Sequence, residues 1–243
     1  RLVSREDYEQ KHGKGDFDGY WGIWDEPFLQ FMGEELSATA EPFFATLFTL
    51  SSHHPFVVPE QYAATLPAGY TKIHKGVAYD DMAFRRFFER FGSEEWFRRT
   101  IFVFVADHVS SEKFDPATRE YPGNMHIIGF LYTPDGALHG RIGEVSQQLD
   151  IMPTLLGLTG NREPYFAFGR DVLNEPERPH WSVSYDGMFR AVTDGGVIAF
   201  DEERDAASTE PAGSQADSLL SQFRALVQQY YTRIERKNYT AHD

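Results

Sequence analysis

The sequence has 243 residues, 41% of them apolar, enough to bury the core of one α/β domain or of two small ones. A formal net charge of −14 excludes general binding to nucleic acid, whose phosphates demand basic patches. The absence of cysteine excludes disulfides, thiolate metal sites and cysteine nucleophiles, and no stretch approaches the roughly 20 apolar residues of a membrane span.

In chain order, Arg1 stands where an initiator Met would, so these residues are expected to begin inside a longer protein. Residues 1–26 are polar, Gly-rich and aromatic, and read as an irregular surface segment. They lead into a helix over residues 27–36, with Pro27 in its first turn and Phe28, Phe31 and Met32 on one stripe. Residues 43–50 (FFATLFTL) form an unbroken apolar run, the pattern of a strand buried on both faces. An aromatic amphipathic helix over residues 78–91 follows. Residues 100–106 (TIFVFVA) and 127–132 (IIGFLY) read as further buried strands, and residues 145–158 as a helix ended by Gly160.

The pattern then changes. Residues 181–185, 189–192 and 197–200 are short segments separated by Asp186-Gly187 and Asp194-Gly195-Gly196, which are hairpin signals. Residues 205–217 read as a loose loop, and residues 218–237 as a closing helix with Leu219, Phe223, Leu226, Tyr230 and Ile234 on one face. The fold class expected is α/β: a mostly parallel sheet flanked by helices (residues 1–175), then a small antiparallel hairpin layer and closing helix (176–243). The 21 Phe and 12 Tyr read as packing residues.

Open parallel sheets collect their chemistry at the carboxyl ends of strands. Two histidine motifs, Ser52-His53-His54-Pro55 and Asp107-His108, directly follow apolar runs. Asp107 and His108 can offer an oxygen and a nitrogen to one cation, a mixed set that Zn²⁺ and Mn²⁺ accept; a strand-ending turn with a locally bonded histidine is the alternative. Of the adjacent pair His53 and His54, Pro55 biases His54 toward extended backbone, which favours His53 as the inward-facing one. Its role is ligand, proton donor or oxyanion partner, against a satisfied surface histidine. His126, just before the third apolar run, could line the same edge.

These segments also carry a family resemblance. Residues 48–56 (FTLSSHHPF), 100–108 (TIFVFVADH) and 148–156 (QLDIMPTLL) resemble, in order and spacing, motifs of lipoteichoic acid synthases and related phosphoglycerol transferases of the alkaline phosphatase superfamily. Tyr79-Asp80-Asp81 and residues 169–173 (GRDVL) also match in order, so the likeness spans residues 20–200. It implies that Asp107 and His108 are ligands to a divalent metal (Mn²⁺ or Mg²⁺, with Zn²⁺ in relatives) and that His53 is catalytic and substrate-binding, contacting the phosphoryl group or protonating the leaving oxygen. His126 falls where related phosphoethanolamine transferases carry a substrate-contacting His, although Ile127-Ile128 replaces their Val/Ile-Pro, and Val109 stands where many relatives have Gly. Asp150 and Thr154 are read as positioning their helix.

The same resemblance implies a metal-dependent transferase or hydrolase of phosphodiesters. It would move a phosphoglycerol or similar head group from a phospholipid or onto a glycan, outside the cytoplasm on the periplasmic or cell-surface side, with N-terminal membrane spans. The Thr nucleophile and a further acidic ligand of such relatives have no matching motif here. The chain is therefore expected to be the C-terminal half of the catalytic domain, inactive alone, with the missing N-terminal half as its partner. A sulfatase on the same fold and a non-catalytic binding remnant are the alternatives.

Overall fold

The computed structural model describes residues 1–201, 204, 206–210, 214–238 and 240. The chain divides into two compact units, Arg1–His139 and Gly140–Asp243.

The first unit is organised by two helices. Helix α1 (Arg5–His12) forms inside the segment expected to be irregular: Ser4 and Asp7 make a reciprocal capping box, and Tyr8 is buried against Phe31 and Ile23. Tertiary packing of one aromatic ring decides an eight-residue helix that its polar sequence does not announce. Helix α2 (Asp25–Ser37) begins two residues before the expected start, with Asp25 and Glu26 in its first turn. A short α3 (Glu60–Ala63) precedes α4 (Ile73–Phe91), which lies against α2; a short α5 (Glu95–Arg98) follows.

Leu29 of α2, Ala83, Phe87 and Phe91 of α4, and Trp96 and Phe97 of α5 form the buried core, with Phe43, Leu47 and Phe102 packed on it. Each such aromatic removes enough apolar surface to be worth about 2–3 kcal/mol. Gly33 permits the α2–α4 approach, because a Cβ there would overlap the Phe91 ring.

Strand β1 (Phe102–Val105) pairs with β2 (Gly129–Tyr132) in antiparallel register, Phe102 opposite Tyr132 and Val105 opposite Gly129. Two expectations are corrected here. Residues 43–50 form no ladder: Phe43 and Leu47 pack on the core while Phe44 and Phe48 stay exposed. An apolar run satisfies only the side-chain half of a strand; without a neighbour to take its N–H and C=O groups it is not one. The mostly parallel arrangement is likewise not formed among the described strands, since every pair present is antiparallel.

In the second unit a 3₁₀ turn (Gln148–Asp150) leads into α6 (Ile151–Leu158). The helix expected from residue 145 therefore starts later. Gln147 is extended, and Pro153, lacking an N–H, sits within the first turn of α6, where no intrahelical donor is needed. Then β3 (Trp181–Tyr185), β4 (Phe189–Thr193), β5 (Gly196–Asp201) and β6 (Ala206–Glu210) form an antiparallel meander.

The three expected hairpin segments are β3 to β5; Asp194 and Gly195 turn between β4 and β5, and Gly196, at φ 140°, opens β5 opposite Thr193. β6 corrects the loop expected there: its sequence AASTE has no apolar alternation, and only the edge of β5 makes it a strand. Residues 205 and 211–213 of that stretch lie outside the described residues. Helix α7 (Ser214–Arg236) closes the unit, burying Phe223 and Val227 against Phe189, Ala191 and Ile198. Tyr230 and Ile234, expected on the same buried face, are more than 40% exposed. The α/β class, the antiparallel layer and the closing helix are as expected.

Candidate functional site

The chemistry-bearing residues of the first unit cluster on two loops. The first is the turn following the apolar run, residues 50–56. His53 N–H donates to the Leu50 carbonyl (3.0 Å) and Phe56 N–H to the His53 carbonyl (2.8 Å), so the backbone folds back twice within seven residues. Three groups hold this turn. The Asp25 carboxylate, at the start of α2, accepts the N–H groups of Leu50 (2.9 Å) and Ser51 (2.8 Å), while Asp25 N–H donates to Ser51 Oγ (3.0 Å). Helix α4 presses on it at Gly76, where a Cβ would stand 3.2 Å from Ser52 Cα. Trp21 Nε1 donates to the His54 carbonyl (2.7 Å), and its ring meets His53 edge to face at 4.2 Å.

His53 and His54 are both exposed. His53 Nδ1 lies 3.0 Å from the His54 carbonyl, which fixes the ring and leaves Nε2 available. His54 instead packs against Phe56.

The second loop begins where β1 ends. Asp107 Oδ1 accepts the His108 N–H (2.9 Å), and Asp107 Oδ2 stands 3.4 Å from His108 Nε2. His108 Nδ1 is 2.8 Å from the Val109 carbonyl. The imidazole is thus anchored through one nitrogen while the other converges with the carboxylate, the orientation a mixed N/O ligand pair needs. Both side chains are exposed. Among the described residues no third His, Cys, Asp or Glu joins them in a metal-holding group. Asp107 and His108 therefore fit as part of a cation shell, and the remaining donors of a four-coordinate site are not among them.

His126 caps a short 3₁₀ turn (Gly123–Met125) and is exposed. The β1–β2 ladder continues one step, Ala106 N–H donating to the Ile128 carbonyl (3.1 Å), which sets the residues before β2 beside those after β1. Antiparallel pairing thus brings His126 to the edge that carries Asp107 and His108. The link between this edge and the His53 turn runs through α4: Glu112 accepts the Ile73 N–H at the start of α4 (2.9 Å), and Asp80 meets Ser52.

One feature the sequence did not announce lies under the His53 turn. Asp80, on α4, shares a hydrogen bond with Asp25, and both are enclosed. Asp80 Oδ1 is buried without a partner. Burial first, and the neighbouring Asp25 charge second, push the Asp80 carboxyl up to about 8, so it keeps its proton at neutral pH. Burial also raises Asp25, partly offset by the N–H groups it accepts. Tyr79 beside the pair is fully buried, its phenol raised by burial, and its oxygen accepts the Glu26 N–H (3.2 Å). The Tyr79-Asp80-Asp81 string was visible in sequence; a partner 55 positions away was not.

In the second unit, Asp150 accepts the N–H groups of Gln147 (2.9 Å) and Arg170 (2.8 Å), and Thr154 Oγ1 accepts from Val172 N–H (3.1 Å). Both act as positioning groups, as expected from the sequence.

The architecture is that of the alkaline phosphatase superfamily. A protein of that superfamily from Vibrio parahaemolyticus superposes with a TM-score of 0.70 at 22% identity, over 96% of this chain and 60% of the other. Ps i-CgsB, solved in complex with a neocarrahexaose, gives 0.60 at 13% identity, over 96% and 63%. The sulfatase family model matches residues 2–161, and the chain belongs to that family, in its lipoteichoic acid synthase-like branch.

The lipoteichoic acid synthase-like protein YvgJ of Bacillus subtilis is 26% identical over 189 residues, 70% of this chain and 30% of its own length. Lipoteichoic acid synthase 1 of the same organism is 27% identical over 174 residues, and the Staphylococcus aureus enzyme 24% over 170. The chain thus spans 26–30% of the length of these relatives.

Proposed function

We propose that this chain forms part of a divalent-cation-dependent transferase of phosphoglycerol or a similar phospho head group, acting outside the cytoplasm on a lipid or glycan substrate. The observation that carries this reading is the convergence of Asp107 Oδ2 and His108 Nε2 at 3.4 Å, at the end of β1, with the imidazole fixed through its other nitrogen. Phosphoryl rather than sulfuryl transfer is favoured because the relatives matched over most of the chain are named as lipoteichoic acid synthases.

Asp107 and His108 hold the cation, with Mn²⁺ or Mg²⁺ preferred and Zn²⁺ as the other candidate. A bound cation supplies Lewis acidity that neutralises charge on a phosphoryl oxygen. His53, with Nδ1 engaged on the His54 carbonyl, offers Nε2 to a phosphoryl or leaving oxygen and can move a proton there. His126 lines the substrate side of the same edge. In this reading residues outside the sequence supply the nucleophile, the remaining metal ligands and the membrane anchor, so the 243 residues alone turn over no substrate. Among the described residues no helix is long and apolar enough to cross a membrane.

The test is paramagnetic broadening of amide resonances by substoichiometric MnCl₂. The expected result is selective loss of Asp107 and His108, attenuation of His126, and loss of the effect in an Asp107→Ala, His108→Ala double variant. Uniform weak broadening, or broadening that survives the double substitution, refutes the assignment.

A further inference from the structure

The second unit contains a cavity of about 380 Å³, lined by Phe166, Phe168, Trp181 and Leu226 together with Arg170 and Arg178. Arg170 is 4% exposed. Its Nη2 is enclosed and has no hydrogen-bond partner, and among the described residues no acid lies within ion-pair distance of its guanidinium. A buried guanidinium is normally paired, because removing it from water without a counter-charge is costly. Here the nearby acids are engaged elsewhere. Asp150 takes the backbone N–H groups of Gln147 and Arg170. Asp171 takes those of Leu173 (2.9 Å) and Asn174 (3.1 Å) and the Asn174 side-chain amide (2.8 Å). Glu175 takes Asp171 N–H (3.0 Å) and Arg178 (3.2 Å).

The backbone around Arg170 is rigidly placed. A Cβ on Gly169 would collide with the Leu149 carbonyl, and Val172 N–H is bonded to Thr154 on α6. Arg170, its Nη2 enclosed and unpartnered, is one of the residues that line the cavity. Arg178 also lines the cavity, paired with Glu175, and Arg233 lies over the Phe166 ring at 3.6 Å. The remaining walls are mostly aromatic and aliphatic, with Gln222, Gln229 and Asp150 among them, the Asp150 carboxylate being engaged by the Gln147 and Arg170 N–H groups.

We propose that this cavity binds a small organic oxyanion, a phosphate or sulfate monoester whose charged oxygens meet Arg170 and whose apolar body lies among Phe166, Phe168 and Trp181. The planar guanidinium fork suits such oxygens, and the aromatic side chains suit an apolar body. Its residues all lie in the second unit, whereas Asp107, His108 and His53 lie in the first.

The test uses the full 243-residue chain with phenyl phosphate, inorganic phosphate and phenol as probes, followed by calorimetry, by Trp181 fluorescence against a Trp181→Phe control, and by thermal melting. Phenyl phosphate is expected to bind about tenfold or more tightly than inorganic phosphate, and phenol not to bind. Arg170→Met is expected to abolish phenyl phosphate binding while leaving the melting temperature without ligand unchanged or raised, since it removes an uncompensated buried charge. Arg170→Lys, which keeps charge without the fork, is expected to bind more weakly.

No binding of phenyl phosphate to the wild-type chain at about 10 mM overturns the proposal. A melting temperature lowered by Arg170→Met, with binding unaffected, assigns Arg170 to the fold and overturns it as well. Equal binding of inorganic and phenyl phosphate overturns the organic ligand class.

Discussion

Replacing Asp80 by Asn removes a proton-binding group from beneath the His53 turn, and the structure fixes how stability then depends on pH. Asp25 and Asp80 share one hydrogen bond in an enclosed site, and Asp25 is the one whose oxygens accept the N–H groups of Leu50 and Ser51. Two charged carboxylates cannot stand together there, so the proton rests on Asp80, whose carboxyl is raised to about 8 by burial and by the Asp25 charge. In the unfolded chain an aspartate titrates near 3.9. The folded state therefore binds the extra proton between those values.

The sign follows directly. Because the folded value is raised in an acid, stability is fully retained below about pH 4, falls as pH rises through the window, and flattens above about 8. One proton corresponds to about 1.4 kcal/mol per pH unit, so roughly 3–4 kcal/mol is lost between about pH 5 and 8. Asn is neutral at every pH and still donates a hydrogen bond to Asp25. Urea unfolding of the wild-type chain and Asp80→Asn at pH 5, 6, 7 and 8 isolates the effect, because Glu26, Tyr62, Tyr79 and every other titrating group are common to both. The difference in unfolding free energy should move in favour of Asp80→Asn by about 3 kcal/mol across that range. A difference that stays constant within about 0.5 kcal/mol would show that Asp80 is ionised throughout.

Other expectations follow from single contacts. Gly33→Ala gains about 1 kcal/mol of helix propensity but drives a Cβ into the buried Phe91 ring, so the net result is a loss of about 1–2 kcal/mol, read from the thermal midpoint; a raised midpoint would contradict the close α2–α4 packing. Trp21→Phe removes the Nε1–H bond to the His54 carbonyl at a cost of about 1 kcal/mol, and should change the ring-current shift of the His53 Hε1 proton; an unmoved His53 resonance would separate Trp21 from the turn. Gly169→Ala places a Cβ against the Leu149 backbone, which cannot rotate away, and is expected to destabilise the second unit by at least about 2 kcal/mol in urea titration.

Sequence alone determined those parts of this protein in which local pattern and local structure coincide. The 3.6-residue apolar spacing of α4 and α7, the hairpin turns after Tyr185 and Thr193, and the Asp107-His108 pair at a strand end needed nothing beyond neighbouring residues. The tertiary structure decided whatever required a partner distant in the chain. The run at 43–50 has the composition of a strand but no neighbour to complete its ladder, whereas β6, with almost no strand signal, is one because β5 offers an open edge. Helix α1 exists because Tyr8 finds Phe31, and the His53 turn is held by Asp25, Trp21 and α4. The protonated Asp80 and the unpaired Arg170 owe their character to burial and to the absence or presence of a neighbouring charge. Such electrostatics depend on separations of a few ångströms across the fold, and no spacing along the chain encodes them.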